Sequence, residues 1–438
     1  MTKILILGTG AREHCIAETF KRSKHPVELF TYGTSKNPGL LDLSSGYEVG
    51  SITDLERIRL FAKSFRPDFV FPGPEAPIAA GVVDVLAEEG FHSVAPRLTV
   101  ARLESSKGFT RELLKKYHIP GNPLFKVFYS DEGLDVYLRD TLRGEFVIKS
   151  DGLKGGKGVK VVGDHLADVA EGLAYARECL AEDGRVVIEE KFIGEEFSLM
   201  SFVDGTTVLD TIPAQDHKRA YVGDKGPNTG GMGSYSDSNH LLPFLTPSDL
   251  QAAHDITVQV AQALLEETGT PFQGIMYGGF MAVRDGVRLI EYNARMADPE
   301  TMNVLPLLEN DFVDLCQALI RRELSGMTLQ FKTKATVCKY VVPKGYPDEP
   351  VKHEKIEIGA LPQGATAYFA SVDQREDGLY LGGSRAVAIL GVGETLTEAE
   401  QIAQEGALAV KGPVFFREDI GTASLLESRI QRMTALRA

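Results

Sequence analysis

The sequence predicts a multidomain protein of mixed α/β and α+β architecture, and three observations support this. The first hundred residues alternate short apolar strands with amphipathic helices, the pattern of a doubly wound parallel sheet. From about Lys107 this pattern changes to strands joined by glycine-rich loops, and from about residue 325 a separate mixed segment begins. The length of 438 residues suits roughly two to four domains. We place the domains at 1–104, 105–324 and 325–438.

In the N-terminal domain the strands KILIL, VELFTY, DFVFPGPE and HSVAP alternate with helices. The first helix is predicted from about Arg12 to Lys21, the second in TDLERIRLFAKSF and the third through about Glu89. Such a βαβαβ order places ligands beyond the carboxyl ends of the strands.

The middle domain is predicted to begin with a helix from Lys107 to Tyr117 and strands FKVF, EFVIKS, VKVV and VVIEEKF around the helix LADVAEGLAYARECLAE. Further strands (FSLMSFV, TVLDTIPA, YGGFMAV, VRLIEYN) and helices near 247–267 and 311–322 follow. The last domain has strands ATVCKYVVP, AYFASV and SRAVAILGVG. Its helix is predicted to begin near Thr397, three residues before Glu400, which is the spacing of a capping box.

Composition excludes several classes of function. The formal net charge of −14 argues against a nucleic-acid or membrane-surface partner, which would require a basic surface. The cysteines, at positions 15, 179, 316 and 338, are too far apart in sequence to indicate a zinc site or a disulfide framework. The first residues enter a strand rather than a signal peptide, and no apolar run is long enough to span a membrane. We therefore expect a cytoplasmic protein.

The first turn, GTGAREH, begins like a dinucleotide-binding motif but has Glu13 at the third glycine position. The second strand also lacks the acid that would bind a ribose, so NAD binding is disfavoured. A glycine turn before a helix still offers N–H groups to an anion, and Arg12 and His14 would strengthen that site. The turn Pro72–Glu75 should face the same crevice. The alternative is that both are tight turns only.

The stretch FVIKSDGLKGGKGVKVV predicts a phosphate-binding hairpin. Its spacing fails the Walker pattern, and strands rather than a helix follow it. A hairpin of Lys154, Gly155, Gly156, Lys157 and Gly158 can instead fold its N–H groups over a triphosphate as a lid. We expect the lid subdomain to span about 123–193, with Lys149 reaching the phosphates or the base. The alternative is a solvated hairpin tip.

Two further segments suit nucleotide and substrate binding. The acidic VVIEEKFIGEEFS offers carboxylates to ribose hydroxyls and backbone groups to an adenine edge, although a lone charge run is more often a solvated face. The long QDHKRAYVGDKGPNTGGMGSYS combines glycines with Asp216, Lys218 and Arg219, and a long irregular loop in a compact domain is usually functional or disordered.

The strand VRLIEYN predicts a metal site. Simple alternation puts Leu289 and Glu291 on one face and Ile290 and Tyr292 on the other, so Glu291 and Asn293 point the same way. Two oxygen donors of this kind suit Mg²⁺ carrying phosphates and water. Arg295 would then lie near a transferring phosphoryl group. The alternative is a polar strand face.

Together these stretches resemble the phosphoribosylamine–glycine ligase family of the ATP-grasp superfamily, along nearly the whole chain. The resemblance rests on GTGAREH, FPGPEAPIAAG, SDGLKGGKGV, IEEKFIGEEFS, DHKRAYVGDKGPNTGGMG and EYNARMADPET, and in the last domain on VPKGYP and REDIG. It implies a central ATP-grasp fold of two subdomains. It also implies that ATP, glycine and 5-phosphoribosylamine react through glycyl phosphate to give glycinamide ribonucleotide, ADP and phosphate, an early step of purine biosynthesis.

The resemblance also implies roles for residues. The ATP-binding set is Lys107, Lys149, Lys154, Gly155, Gly156, Lys157, Glu189, Glu190, Lys191, Phe192 and Glu196. The substrate-binding set is Gly10, Arg12, Gly73, Pro74, Glu75, Asp216, Lys218, Asn228, Thr229, Gly230, Gly231 and Arg295. The implied catalytic residues are Lys157, Asp216 and Arg295, and the implied ligands of Mg²⁺ (or Mn²⁺) are Glu291 and Asn293.

The chain departs from the usual family pattern at Thr9–Ala11, where we expect little effect, and at Met296–Ala297, where an added Cβ leaves the loop after Arg295 less defined. Three other functions compete with the ligase. They are an ATP-grasp ligase or carboxylase for another carboxylate, a non-catalytic nucleotide-binding protein, and a Rossmann oxidoreductase. The expected partners are small molecules rather than nucleic acid or membrane. The sequence does not fix the oligomeric state, and a monomer is our working assumption.

Overall fold

The computed structural model describes residues 1–154, 158–205 and 207–438. Its N-terminal part is a five-stranded, fully parallel sheet in the order β3-β2-β1-β4-β5, so the predicted doubly wound sheet is confirmed. The inner strands are buried apolar runs because helices cover both faces. The elements are β1 (Thr2–Leu7), α1 (Ala11–Lys21), β2 (Val27–Gly33), α2 (Pro38–Leu43), β3 (Ser44–Val49), α3 (Leu55–Phe65), β4 (Phe69–Pro72), α4 (Glu75–Ala79), α5 (Val82–Glu88) and β5 (His92–Ser93).

Sequence reasoning missed some elements here. The pair α2–β3 was not predicted because SSGYEV is a half-exposed edge strand without a continuous apolar run. The helix expected through Glu89 is two helices, separated at Gly81, whose φ of 94° is a left-handed conformation that suits glycine.

The middle region contains two four-stranded antiparallel sheets, β6-β9-β7-β8 and β11-β10-β16-β17. The first carries its own apolar core, which includes Phe146 and Ile148 of the sheet and Ala176 of the helix above it. The elements are α6 (Leu98–Ser105), α7 (Lys107–Lys116), β6 (Phe125–Phe128), α8 (Leu134–Val136), a π-helix (Tyr137–Thr141), β7 (Phe146–Ser150), β8 (Val159–Val161), α9 (Val169–Asp183), β9 (Val186–Glu190), β10 (Glu195–Asp204), β11 (Val208–Asp210), β12 (Gln215–Asp216), β13 (Arg219–Tyr221), β14 (Lys225–Asn228), β15 (Gly233–Ser236), α10 (Pro247–Thr268), β16 (Gln273–Val283), β17 (Gly286–Asn293), α11 (Glu300–Val304), a 3₁₀ turn (Leu305–Leu307), α12 (Phe312–Arg321) and a 3₁₀ turn (Leu324–Gly326).

The C-terminal region completes a sheet that the middle region begins. The strand order is β12-β15-β18-β23-β20, with β25 also paired to β18, and β21-β22-β19-β24 forms a second sheet. The elements are β18 (Ala335–Pro343), β19 (Lys355–Ile358), β20 (Ala365–Phe369), β21 (Val372–Arg375), β22 (Gly378–Leu381), β23 (Val387–Gly393), α13 (Leu396–Leu408), β24 (Val410–Lys411), β25 (Val414–Phe415) and α14 (Ala423–Arg437). The cap of α13 is Thr395, which accepts from the Glu398 N–H, two residues before the predicted position.

The segment 215–236 is therefore not the long irregular loop that its composition suggested. Its ends are strands of the C-terminal sheet, where β15 pairs with β18, and its middle is the short hairpin β13–β14. At Gly233, which has a φ of 149°, a Cβ would lie 2.2 Å from the Cys338 carbonyl oxygen. Glycine is thus required for the close approach of the two backbones.

Two further observations concern expectations from composition. All four cysteines are buried and free. Within the described ranges, no helix combines the length and apolar character needed to cross a membrane.

The N-terminal and C-terminal regions meet at Asn37 and His14. The Asn37 amide donates to the carbonyl oxygens of Thr9 (3.0 Å) and Phe369 (2.6 Å), and its side-chain oxygen caps α2. The buried His14 ring accepts from the Phe369 N–H at Nδ1 (3.0 Å), and burial lowers its pKa to about 4. The ring nitrogens of His14 therefore face Phe369 and Glu18 (Nε2 at 3.4 Å), and a role of His14 in an anion site at the first turn stays a prediction.

We predict that Asn37→Ala lowers thermal stability more than Asp54→Ala, the matched loss of an N-cap on α3. The Asp54 change removes a cap worth about 1 kcal/mol. The Asn37 change also removes the hydrogen-bond donor to the carbonyl oxygens of Thr9 and Phe369. Leaving a buried carbonyl without a donor costs about 1–3 kcal/mol of stability. Calorimetry or circular dichroism melting would measure both. Equal shifts in melting temperature would contradict the role of Asn37 in joining the two regions.

The low pKa of His14 predicts a pH dependence of stability. Between pH 6.5 and about 4 the unfolded chain binds a proton that the folded chain does not, so stability falls as pH drops through this range. The full effect is up to about 3 kcal/mol. Urea unfolding at pH 7 and pH 5 should show a smaller loss of stability on acidification in His14→Gln than in the parent. An unchanged loss would contradict the prediction.

Candidate active site

The central feature is a β-bulge in β17, which changes the face of the sheet on which its last side chains lie. In the register with β16, Phe280 pairs with Leu289 but the preceding Gly279 pairs with Glu291, so Ile290 is the extra residue. The prediction that Leu289 and Glu291 share a face is therefore wrong: Leu289 and Tyr292 are buried on one side, and Glu291 lies on the other. Asn293 pairs with Tyr277 on the same side as Glu291.

The charge of Glu291 is stabilised by its surroundings. Burial works against ionisation, but Lys218, Lys149 and Lys107 outweigh it and hold the pKa of Glu291 below its usual value. A carboxylate and an amide oxygen on one strand face match the preference of Mg²⁺ or Mn²⁺ for oxygen donors, so these residues fit such an ion.

Arg295 follows directly and is enclosed by acids. Its Nε lies 3.6 Å from Glu75 and one terminal nitrogen lies 3.4 Å from Glu104, and the latter carboxylate accepts from the Ala294 N–H. The buried Met296 offers its carbonyl oxygen to both Arg295 (3.3 Å) and Arg12 (3.1 Å). The loop after Arg295 is thus held by backbone contacts that do not depend on the Met296 side chain.

Lys149 joins the two middle sheets. From β7 its Nζ donates to the Ile290 carbonyl oxygen of the bulge (2.8 Å) and pairs with Glu189 of β9 (2.9 Å). The buried Arg111 also donates to both carboxylate oxygens of Glu189, from Nε (2.6 Å) and from one terminal nitrogen (2.9 Å). The Glu189 carboxylate is therefore fully engaged by cations rather than free to accept from a ribose.

The hairpin predicted to cover phosphates is only partly described. Gly155, Gly156 and Lys157 lie outside the described residues. Lys154 pairs with Asp183 (2.9 Å) and Glu182 (3.1 Å) of α9. Lys107 donates to the Gly152 carbonyl oxygen (3.0 Å), which ties the base of the hairpin to the start of α7.

The acidic segment 189–196 runs from β9 of one middle sheet to β10 of the other. Glu190 is half-buried and accepts from the Leu124 N–H (2.7 Å), while Lys191 donates to the Val162 carbonyl oxygen (2.8 Å). Phe192 is half-buried. Glu196 is exposed and pairs with Lys218 (2.9 Å), which links this segment to β12 and β13.

The 215–234 segment places the carboxylate of Asp216 near that of Glu300 in α11. Partial enclosure and the nearby Glu300 raise the pKa of Asp216. Glu300 is buried and accepts from Ser198 (2.6 Å) and Tyr277 (2.9 Å). Two carboxylates that repel each other in this way would be stabilised by an ammonium group.

The turn from Asn228 to Gly231 is fixed to Lys218. Both the N–H and the hydroxyl of Thr229 donate to the Lys218 carbonyl oxygen (2.8 and 2.9 Å), and the Gly231 N–H donates back to that hydroxyl (3.0 Å). Asn228 pairs with Arg219 in the hairpin, and Gly230 is exposed.

The turns at Gly10 and at Gly73–Glu75 are adjacent, and the side chain of Glu13 contacts both of them. Its carboxylate accepts from the Gly10 N–H and from Arg12 Nε (2.6 Å each), and a Cβ on Gly73 would lie 2.0 Å from it. Pro74 caps α4, beside Gly8. The Gly10 N–H expected to be free for an anion is thus already bonded by the carboxylate of Glu13, the third residue of α1.

Sequence reasoning missed Arg385, Asp298, Glu300 and Glu104. Arg385, from the loop before β23, donates to the carbonyl oxygens of Gly230 (2.6 Å) and Gly231 (3.1 Å) and pairs with Asp298 (3.0 Å). Asp298 and Glu300 lie in the MADPET stretch, and their charge so close to Arg295 could have marked them as candidate site residues. No local pattern marks Arg385, since its partners are distant in the sequence.

The matches to known proteins cover nearly all of the chain. Three family models match: phosphoribosylglycinamide synthetase N domain (residues 2–104), its ATP-grasp (A) domain (105–301) and its C domain (336–423). Phosphoribosylamine–glycine ligase of Methanosarcina barkeri is 46% identical over 435 residues, covering 99% of this chain and 100% of that protein. The enzyme of the same name from Methanocaldococcus jannaschii is 46% identical over 445 residues, covering 99% and 100%.

A solved structure agrees. The crystal structure of phosphoribosylamine–glycine ligase from Thermotoga maritima superposes with a TM-score of 0.79 at 28% identity, covering 95% of this chain and 100% of that one. The resemblance found in the sequence motifs is confirmed, and the chain belongs to the phosphoribosylamine–glycine ligase family, whose domains are those of phosphoribosylglycinamide synthetase.

Proposed function

We propose that this protein is an ATP-dependent ligase that joins glycine to 5-phosphoribosylamine, giving glycinamide ribonucleotide, ADP and phosphate in purine biosynthesis. Membership of the family over the full chain supports the activity. The observation that carries the chemistry is the position of Glu291 among Lys218, Lys149 and Lys107, which lower the pKa of its carboxyl against the effect of burial. Phosphoryl transfer needs positioned positive charge more than a protein nucleophile.

In this proposal ATP lies between the two middle sheets, with Lys107, Lys149, the 154–158 hairpin and the 189–196 segment around it. Glu291 and Asn293 would hold Mg²⁺ or Mn²⁺, which would neutralise phosphate charge. Because Arg111 and Lys149 already engage Glu189, we assign ribose binding to Glu190 and Glu196. Lys157 and Arg295 would stabilise the transferring phosphoryl group.

The reaction would proceed in two balanced steps. A glycine carboxylate oxygen bonds to the γ-phosphorus of ATP as the bond to ADP breaks, giving glycyl phosphate. The amine of phosphoribosylamine then bonds to the acyl carbon, phosphate leaves, and the amine loses a proton. Asp216 beside Glu300 would bind the glycine ammonium, and Lys218 and the 228–231 turn would enclose the substrates. The turns at Gly10, Arg12 and Gly73–Glu75 would face the phosphoribosyl group.

The remaining parts of the proposal concern organisation. We keep the division into domains 1–104, 105–324 (lid about 123–193) and 325–438. We propose a monomer in a cytoplasmic, reducing setting, with small-molecule partners only. Four free, buried cysteines are consistent with that setting. The competing oxidoreductase would require a nicotinamide site, and Glu13 fills the glycine position which that site needs.

The assay that tests the proposal measures ADP release with Mg²⁺ and ATP. Phosphoribosylamine would be generated in place from ribose 5-phosphate and ammonia. We expect turnover only when glycine and the amine are both present. ATP hydrolysis indifferent to both would favour another carboxylate substrate, and ATP binding without turnover would favour a non-catalytic protein.

The metal site predicts the effect of Glu291→Gln. We expect turnover to fall by about a hundredfold or more, because the charge that binds the cation is lost while the side-chain size is kept. The matched control is Asp285→Asn, in the exposed turn of the same hairpin, which should keep full activity. Melting temperatures near that of the parent would show both are folded. Full turnover of Glu291→Gln with unchanged Mg²⁺ dependence would overturn the metal role.

A further inference from the structure

The REDIG motif at 417–421 contacts the 215–234 segment rather than the ATP cleft. Arg417 is fully buried, and its Nε and one terminal nitrogen donate to the two carboxylate oxygens of Asp419 (2.9 and 2.7 Å). Its remaining nitrogen donates to Asp224 (2.9 Å) and to the Arg219 carbonyl oxygen (3.1 Å). The motif therefore bonds both the turn and the first strand of the β13–β14 hairpin.

A second arginine reaches the same carboxylate from α14. Arg429 bonds the other Asp224 oxygen and lies 3.3 Å from Glu195, the neighbour of Glu196 on β10. Asp419 also accepts from the Gly223 N–H (3.0 Å). Burial opposes ionisation of Asp224, but Arg429 and Arg417 lower its pKa to about 2. The hairpin turn is thus held by charge-assisted bonds from two separate elements.

The hairpin in turn fixes the proposed substrate residues. Lys218 immediately precedes β13 and Asn228 ends β14, so a shift of the hairpin moves both. His217, one residue earlier, is buried, with its Nε2 unpartnered among the described residues. Burial and then Arg417 lower its pKa to about 3, so the ring is neutral beside the two arginines. Ala220 is buried, but the larger apolar side chains of the hairpin, Tyr221 and Val222, are exposed, so apolar burial contributes little to its order.

We propose that Asp224, bound by Arg417 and Arg429, is the positioning residue through which the C-terminal segment (417–437) orders the substrate loop (215–234). The C-terminal segment would thereby set the affinity for glycine and phosphoribosylamine without touching either. The consequence for substrates rests on the proposed function. The ordering of the hairpin does not.

The same helix supplies a matched control. Arg437 of α14 binds Asp249 at the start of α10 through two bonds (2.9 and 2.7 Å), away from the hairpin. Arg437→Gln and Asp224→Asn each break an ion pair made by α14, and Asp224→Asn also breaks the pair with Arg417. Only the second removes a bond to the substrate loop.

The test compares hydrogen exchange and steady-state kinetics in the parent, Asp224→Asn and Arg437→Gln. In Asp224→Asn we expect exchange across 219–232 to accelerate and KM for glycine to rise, each on the order of tenfold, with KM for ATP within about twofold. Arg437→Gln should lower the melting temperature while leaving loop exchange and KM for glycine unchanged. Asp224→Glu, which restores the charge, should recover part of both effects.

The outcomes separate this inference from the proposed function. Unchanged exchange in Asp224→Asn would overturn the positioning role. Equal effects of Asp224→Asn and Arg437→Gln on KM for glycine would also overturn it, because the arginines would then serve general stability. If the parent shows no ligase activity but loop exchange still depends on Asp224 alone, the proposed function fails and the ordering of the hairpin stands.

Discussion

The site depends on the bulge at Ile290 and on the cations that bond its carbonyl oxygens. A bulge leaves backbone groups unpaired, and a buried carbonyl without a donor is costly. Arg111 donates to the carbonyl oxygens of Leu289 (3.1 Å) and Ile290 (2.6 Å), and Lys149 donates to the latter from the other sheet. Glu189 neutralises both cations. One small network therefore stabilises the bulge, joins the two sheets and turns Glu291 toward the cleft.

The proposed site brings several cations together within a strongly acidic chain. The chain has a formal net charge of −14, yet Lys149, Lys218, Arg295 and Arg385 converge near Glu291 and Asp216. Each of these cations also has a carboxylate partner, so their positions are fixed before any ligand binds. Such preorganised charge suits an anionic, phosphate-bearing ligand, because little reorganisation is then needed on binding.

The C-terminal region takes part in the site from a distance. Strand β18 extends the sheet begun by β12 and β15, and Arg385 bonds the backbone of the 230–231 turn. The segment 215–236 is consequently ordered by residues more than a hundred positions away. Its glycines permit the close approach of backbones, and the distant arginines decide where the hairpin lies.

The sequence by itself determined the alternation of strands and helices, the parallel sheet of the N-terminal region, the oxygen donors of EYN and the motifs that identify the family. These features are local: they depend on apolar spacing and on residues next to each other in the chain. The tertiary structure decided which groups remain free. It reversed the faces of β17 at Ile290, engaged the Gly10 N–H with Glu13, paired Lys154 with α9, and enclosed Asp224 between two arginines. A charged side chain seeks whichever partner folding brings near, and partners such as Arg417 and Asp224 lie far apart in sequence, so no local pattern could have paired them.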